Sequence, residues 1–191
     1  MELDWLKKWS LYSPEKCALF CADTHREFSY REFFNISVNL ANFLEARGVQ
    51  KGTRVAVLAE NQIEYVFLFF ALQRMGAILV PINFRLTTPE AQFIVDNCDC
   101  EFLVSSQDYA SIEQSIKVPN RLAFKEIEEN IDDWSRASGE YPFVGEFEKG
   151  CLILHTSGTT GNPKGVVITP KILFWNSVNT NLSMSLSPED V

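Results

Sequence analysis

The sequence predicts an α/β fold with a mainly parallel sheet flanked by helices, and three features support this. Short apolar segments alternate with stretches whose apolar residues recur every three or four positions. Caps and glycines bound these helical stretches. The strand–helix order repeats, which implies right-handed crossovers and a parallel sheet covered on both faces. The 191 residues suffice for one domain, at about 100–200 residues per domain.

The first helix is predicted over residues 30–47. Ser29 and Glu32 have the spacing of a capping box, in which the two residues satisfy each other's free backbone amides. Gly48 follows as a stop signal. The apolar positions at helical spacing are Phe33, Ile36, Leu40 and Leu44.

A strand, a helix and a second strand are predicted next. Residues 53–58 form a buried strand, and the helix begins at Asn61, with Glu64 three residues later, and ends near Gly76. This helix is apolar nearly all round, so we expect it to be covered on several sides. Residues 77–82 form the following strand.

A third helix is predicted from the triplet Thr88, Pro89 and Glu90, which supplies a cap, an early proline and a first-turn acid. It extends to about Asn97. Residues 101–105 then form a further strand. The alternation of strands and helices is therefore complete to this point.

The pattern is weaker between residues 106 and 150. This stretch contains an acidic cluster, which we expect to be a solvated helix face or loop without a function. The acidic cluster comprises Glu126, Glu128, Glu129, Asp132 and Asp133. Beyond it, residues 151–154 and 166–169 are predicted as strands and 171–184 as a helix.

The composition argues against several classes of function. The net charge is −8 and there is no basic stretch, so nucleic acid and anionic membrane surfaces are poor partners. The longest apolar run, residues 65–72, is far short of the roughly 20 residues of a membrane helix. The acidic amino terminus does not resemble a signal peptide. Five cysteines without a CxxC pair, beside two histidines, predict free thiols and no zinc site. We expect a soluble, cytoplasmic protein.

One polar segment, residues 156–165, carries the features of a phosphate site. Its glycines let backbone amides approach a ligand closely, and its hydroxyl groups add donors. Lys164 adds a positive charge, and Pro163 stiffens the backbone just before it. The glycines are Gly158, Gly161 and Gly165, and the hydroxyl side chains are those of Thr156, Ser157, Thr159 and Thr160. A polar hairpin turn is the alternative, but a turn needs far fewer such residues.

A P-loop of the GxxxxGK[ST] type is excluded. Counted from Gly158, its second glycine falls on Pro163 and its hydroxyl residue on Gly165. A helix should also follow such a loop at once, whereas this sequence continues as a strand.

The segment resembles the signature of the acyl-adenylate-forming superfamily, which includes acid:CoA ligases, beetle luciferases and the adenylation domains of peptide synthetases. Residues 55–61, 71–77 and 80–87 resemble the early helix and strand region of that family. The resemblance covers the chain from about Trp5 to its end. It implies an incomplete amino-terminal, AMP-binding domain, residues 1–191, with its phosphate-binding loop at 156–165 and the carboxy-terminal domain absent.

The resemblance also implies a function. The parent enzyme would use ATP to convert a carboxylic acid, such as a medium- or long-chain fatty acid, into acyl-AMP and pyrophosphate. Coenzyme A would then accept the acyl group, and Mg²⁺ would accompany ATP. The family's phosphate-binding positions correspond to Thr156, Ser157, Gly158, Thr159, Thr160, Gly161 and Lys164, with Lys164 also catalytic.

Two qualifications accompany the resemblance. Relatives are more than twice as long, so we expect this chain to need the remainder of its own protein and to be inactive alone. Relatives commonly have a histidine shortly after the loop, where this chain has Thr169 followed by Pro170. The alternatives are a peptide-synthetase adenylation domain, a luciferase-like enzyme, or a nucleotide-binding fragment without turnover.

Overall fold

The computed structural model describes residues 3–156 and 163–184. The helices of these residues are α1 (Trp5–Tyr12), α2 (Tyr30–Ala46), α3 (Ile63–Met75), α4 (Thr88–Asn97), α5 (Ala110–Ser115), α6 (Phe124–Glu128), α7 (Ile131–Arg136) and α8 (Pro170–Met184). The strands are β1 (Cys17–Cys21), β2 (Arg26–Ser29), β3 (Arg54–Leu58), β4 (Ile78–Ile82), β5 (Phe102–Ser105), β6 (Asn120–Ala123), β7 (Leu152–Thr156) and β8 (Lys164–Ile168). A short 3₁₀ helix covers Gln107–Tyr109.

One six-stranded sheet organises the chain, in the order β6-β5-β3-β4-β7-β8. The pairs from β6 to β7 are parallel, and β8 joins the edge antiparallel to β7. Strands β1 and β2 form a separate antiparallel pair. The prediction of an α/β fold with a mainly parallel sheet is thus confirmed.

Both faces of this sheet are covered, because successive strand residues point to opposite sides. Val55 and Val57 of β3 belong to the core beneath α2 and α3. Ala56 and Leu58 belong to a second core beneath α4. Helices α3 and α4 therefore lie on opposite faces of the sheet.

Helix α3 is enclosed, as its apolar circumference predicts. The Phe67 ring meets those of Phe28 and Phe33 edge-on, with centroids 5.1 and 5.4 Å apart. Leu68, one position further along, is also fully buried. Aromatic packing from α2 and β2 thus supplies the cover that a helix without a polar face requires.

The capping box ahead of α2 is confirmed. The backbone amide and the hydroxyl of Ser29 each donate to the Glu32 carboxylate at 2.8 Å, and the Glu32 amide donates back to the hydroxyl at 3.3 Å. The helix ends at Ala46, one residue before the predicted end.

Two other predicted helix starts were wrong by one position. Gln62, rather than Asn61, precedes α3, and its side chain makes no capping bond. Thr87, rather than Thr88, caps α4, because its amide and hydroxyl donate to Glu90 at 2.8 and 2.6 Å. Thr87 is the cap because it, and not Thr88, lies three residues before Glu90, the spacing of a capping box.

Residues 106–150 contain more regular structure than their pattern predicts, including α5, β6, α6 and α7. The acidic cluster lies on α6, at its carboxyl-terminal cap Glu129 and on α7, and it is exposed except for half-buried Glu126, as expected of a solvated helix face or loop. Glu126 accepts a hydrogen bond from Arg47 at 2.9 Å, and Asp132 pairs with Arg26. These contacts tie the cluster to α2 and β2.

The described residues hold no helix that combines the length and apolar character needed to cross a membrane. All five cysteines are free thiols, as predicted.

Candidate functional site

The strand order creates a crevice at the carboxyl ends of β3 and β4. The chain leaves β3 toward α3 on one face of the sheet and leaves β4 toward α4 on the other. Such a switch point is where open α/β sheets bind ligands. A cavity of about 550 Å³ lies there. Residues from β4 and β7, from the segments after β3 and β4, and from just ahead of β8 line it: Ala59, Asn61, Tyr65, Pro81, Ile82, Asn83, Phe84, Leu86, Glu90, Ile94, Leu154, His155, Thr156 and Pro163.

The β7–β8 pair brings two predicted site residues to the edge of this cavity. Thr156 ends β7 and lies directly opposite Lys164, the first residue of β8, in the antiparallel register. Both residues are exposed, so a hydroxyl and an ammonium group can reach a ligand from adjacent strand ends. Pro163, next to Lys164, lines the cavity itself.

The remaining predicted phosphate-binding residues are Ser157, Gly158, Thr159, Thr160 and Gly161, and these lie outside the described residues. Their sequence connects Thr156 to Pro163. Strands precede and follow the segment, as expected, with β7 ending at Thr156 and β8 beginning at Lys164.

His155 is the next-to-last residue of β7 and precedes Thr156. It lines the cavity, and its Nε2 atom lies 3.7 Å from the Cys98 Sγ atom. Its Nδ1 atom is buried without a hydrogen-bond partner. Burial lowers the pKa of His155 and therefore favours the neutral ring.

Two other ionisable side chains of the cavity, Glu90 and Tyr65, have pKa values shifted by their structural surroundings. Hydrogen bonds from Thr87 lower the pKa of Glu90, so this carboxylate is held by the helix cap. Burial raises the pKa of Tyr65. Both shifts move the pKa away from the near-neutral range expected of a general acid or base.

Pro170 is the first residue of α8, one position before the helix predicted over 171–184. The Thr169 hydroxyl accepts a hydrogen bond from the Ile172 amide at 3.3 Å. Lys171 pairs with Glu148 at 2.7 Å. No imidazole is available from the Thr169–Pro170 position.

A crevice with a hydroxyl and a lysine at its edge suits an anionic ligand, and phosphate groups match donors of this kind. Within residues 3–156 and 163–184, no three histidine, cysteine or acidic side chains cluster in a way that could hold a metal ion. The arrangement provides donors and charge for a phosphate-bearing substrate.

Comparison with known proteins identifies the family of the chain. A family model described as AMP-binding enzyme matches residues 6–191. A feruloyl-CoA synthase from an Amycolatopsis species is 31% identical over 186 residues, which cover 97% of this chain and 37% of the relative. A crotonobetaine/carnitine–CoA ligase from Citrobacter koseri is 31% identical over 181 residues, covering 87% of this chain and 35% of the relative.

Solved structures of CoA synthetases share the fold of this chain. The o-succinylbenzoate CoA synthetase from Bacillus subtilis, in complex with the acyl-adenylate intermediate OSB-AMP, matches with a TM-score of 0.84 and 26% identity. That match covers 98% of this chain and 47% of the synthetase chain. A fatty acyl CoA synthetase from Mycobacterium tuberculosis matches with a TM-score of 0.79 and 27% identity, over 92% of this chain and 37% of that one. The chain thus spans well under half the length of the curated relatives named above.

Proposed function

Because the chain belongs to the AMP-binding enzyme family, we propose that its whole protein activates a carboxylic acid with ATP and transfers the acyl group to coenzyme A. The relatives named as CoA synthases and ligases favour coenzyme A over a carrier domain as the thiol acceptor. This chain contributes the phosphate-binding part of the site. The two activities are assigned to the whole protein.

One observation carries the proposal: Thr156 and Lys164 lie opposite each other at the edge of the switch-point crevice. We propose that the Thr156 hydroxyl and the Lys164 ammonium group contact the β- and γ-phosphates of ATP. Ser157, Gly158, Thr159, Thr160 and Gly161 complete the phosphate site by their place in the sequence. The acid enters from the crevice beside them.

The proposed reaction has two steps. A carboxylate oxygen attacks the α-phosphorus of ATP, the bond to the bridging oxygen breaks, and pyrophosphate leaves with the electron pair. Lys164 stabilises the charge that develops on the departing phosphates. The thiol of coenzyme A, after losing its proton, attacks the acyl carbon, and AMP leaves.

Mg²⁺ would accompany ATP and neutralise part of the phosphate charge when bound. The described residues supply no set of three ligands for it, so no step is assigned to the ion. The chain's own contribution is orientation of the phosphates and the positive charge of Lys164, both of which act without proton transfer.

The proposal is tested by carboxylate-dependent exchange of labelled pyrophosphate into ATP. The protein encoded by the complete reading frame should catalyse exchange with at least one member of a panel of aromatic and aliphatic acids. The isolated 191-residue chain should not, because it lacks most of the length of its relatives. Absence of exchange by the longer protein with every acid would contradict the proposal.

A further inference from the structure

We infer that His155 is a positioning residue, whose ring fixes the alignment of the two strand ends that carry Thr156 and Lys164. The inference rests on the proposed function, since it concerns the ATP site. His155 acts through its neighbours and is not itself assigned contact with the reacting atoms.

The first observation is the close approach of His155 to Gly165. These residues face each other in the antiparallel register, one position inside the Thr156/Lys164 pair. A Cβ atom placed on Gly165 would lie 3.2 Å from His155 Nε2 and 3.1 Å from Ile153 Cγ2. The imidazole therefore lies against Gly165, in the space that a side chain there would need. The spacing of β7 and β8 at this point thus depends on a ring at 155 and a glycine at 165.

The second observation is the support behind the ring. The Cys98 thiol, at the end of α4, lies 3.7 Å from His155 Nε2 and is itself buried. The imidazole is thus held between α4 and β8, and it connects the helix on one face of the sheet to the edge strand. Removing the ring would leave β8 without this contact beside the Thr156/Lys164 pair.

The surroundings also require a neutral ring. His155 Nδ1 is buried without a partner, so a proton on Nδ1 would find no acceptor to stabilise an imidazolium ion. The ionisable groups that face it are the Cys98 thiol and, across the cavity, Glu90 from α4, Lys164 from β8 and Tyr65 from α3. Glu90 is engaged by the Thr87 cap. Packing, rather than charge, accounts for the position of the ring.

The test compares variants of the protein encoded by the complete reading frame in the exchange assay. His155→Ala should raise the KM for ATP and lower kcat, with a combined loss of about 10- to 100-fold in kcat/KM, because small displacements of positioned groups are costly. The KM for the acid should change less. His155→Phe keeps a ring against Gly165 and loses both ring nitrogens, of which Nδ1 has no partner and Nε2 only the 3.7 Å contact with Cys98. If the ring acts by packing, this variant should retain most of kcat/KM for ATP.

A control separates positioning from general destabilisation. Leu103→Ala removes a fully buried side chain from β5 in the same core, away from the Thr156/Lys164 pair. It should lower the melting temperature at least as much as His155→Ala and leave the KM for ATP within about twofold. A purely structural role for His155 would make the two variants alike in both measurements, and that result would overturn the inference.

A double-variant cycle tests the contact directly. Gly165→Ala should also raise the KM for ATP, since its methyl group would displace the ring. In the His155→Ala background the same change should cost several-fold less, with the remaining effect due to Ile153. Additive effects of the two substitutions would contradict the inference.

Failure of the inference can be told apart from failure of the proposed function by measuring the Kd of ATP alongside exchange. Exchange by the wild type with unchanged kinetics in His155→Ala overturns the inference alone. ATP binding without exchange overturns the proposed function, and the ratio of Kd values between His155→Ala and wild type then decides the inference. A wild type that neither exchanges nor binds ATP overturns both.

Discussion

Asp4 and Arg74 form a buried ion pair that joins the residue ahead of α1 to α3. Arg74 Nη1 lies 2.8 Å from Asp4 Oδ2, and Nη2 donates to Oδ1 at 2.9 Å. The two side chains are 3% and 5% exposed. Because buried charges depend on their partners, this pair anchors the first helix of the chain to the helix at its core.

Asp4→Ala should destabilise the fold by about 3–5 kcal/mol, because it leaves the Arg74 charge buried and unpaired. Urea unfolding of the protein measures the change. Replacing both partners with apolar residues, as in Asp4→Leu with Arg74→Met, should cost less than Asp4→Ala alone. A single-variant cost below about 1 kcal/mol would mean that Arg74 regains a partner or water.

Ser29→Ala should cost about 0.5–2 kcal/mol of stability, since it removes the hydroxyl that binds the Glu32 carboxylate and amide at the start of α2. Ser177→Ala is the matched control, because that hydroxyl bonds only to the Leu173 carbonyl on the exposed side of α8. Ser177→Ala should change stability by less than about 0.5 kcal/mol. Equal costs would show that the capping box does not stabilise α2.

The cysteines should differ in their rates of reaction with iodoacetamide at pH 8. Hydrogen bonds from Thr24 lower the pKa of Cys21, whereas burial raises the pKa of Cys100 to about 12 and that of Cys151 to about 11. Since the thiolate is the reactive form, Cys21 should be labelled quickly and the two buried thiols should remain unlabelled. Peptide mass mapping checks this, with labelling in urea as the control. Rapid labelling of Cys100 in the folded protein would contradict its burial.

Lys164→Ala should raise the activation free energy of adenylation in the whole protein by about 2–4 kcal/mol, as for loss of one electrostatic donor. Lys125→Ala, on the exposed surface of α6, is the control and should leave the rate unchanged. Single-turnover formation of acyl-AMP measures both. An unchanged rate in Lys164→Ala would remove this residue from the proposed catalytic group.

Strong local patterns made much of the fold predictable from the sequence. The capping box at Ser29 and Glu32 and the continuous apolar character of α3 each have a local cause, and the structure agrees with both. The β6 strand was not predicted, because it lies at the sheet edge with a single buried residue, Leu122, and so carries little periodic signal. Local rules also misplaced the cap of α4 by one residue, since Thr87 and Thr88 are both good caps.

The candidate site was predictable to a smaller extent. The phosphate segment was identified by its composition, but the opposition of Thr156 and Lys164 depends on the register of β7 and β8. The contact between His155 and Cys98 joins residues 57 positions apart, so no local sequence pattern predicts it. The close approach of the His155 ring to the facing strand does have a sequence signal, because Gly165 leaves room for it.

Attack of the acid on the α-phosphorus of ATP can be followed with an isotope label. The whole protein is supplied with ATP, coenzyme A and an accepted acid labelled with ¹⁸O in its carboxylate. Attack at the α-phosphorus forms a carbon–oxygen–phosphorus bridge, and thiol attack at the acyl carbon then leaves that oxygen on AMP. We expect one ¹⁸O atom in each AMP formed. Label in inorganic phosphate with formation of ADP, or AMP without label, would contradict it.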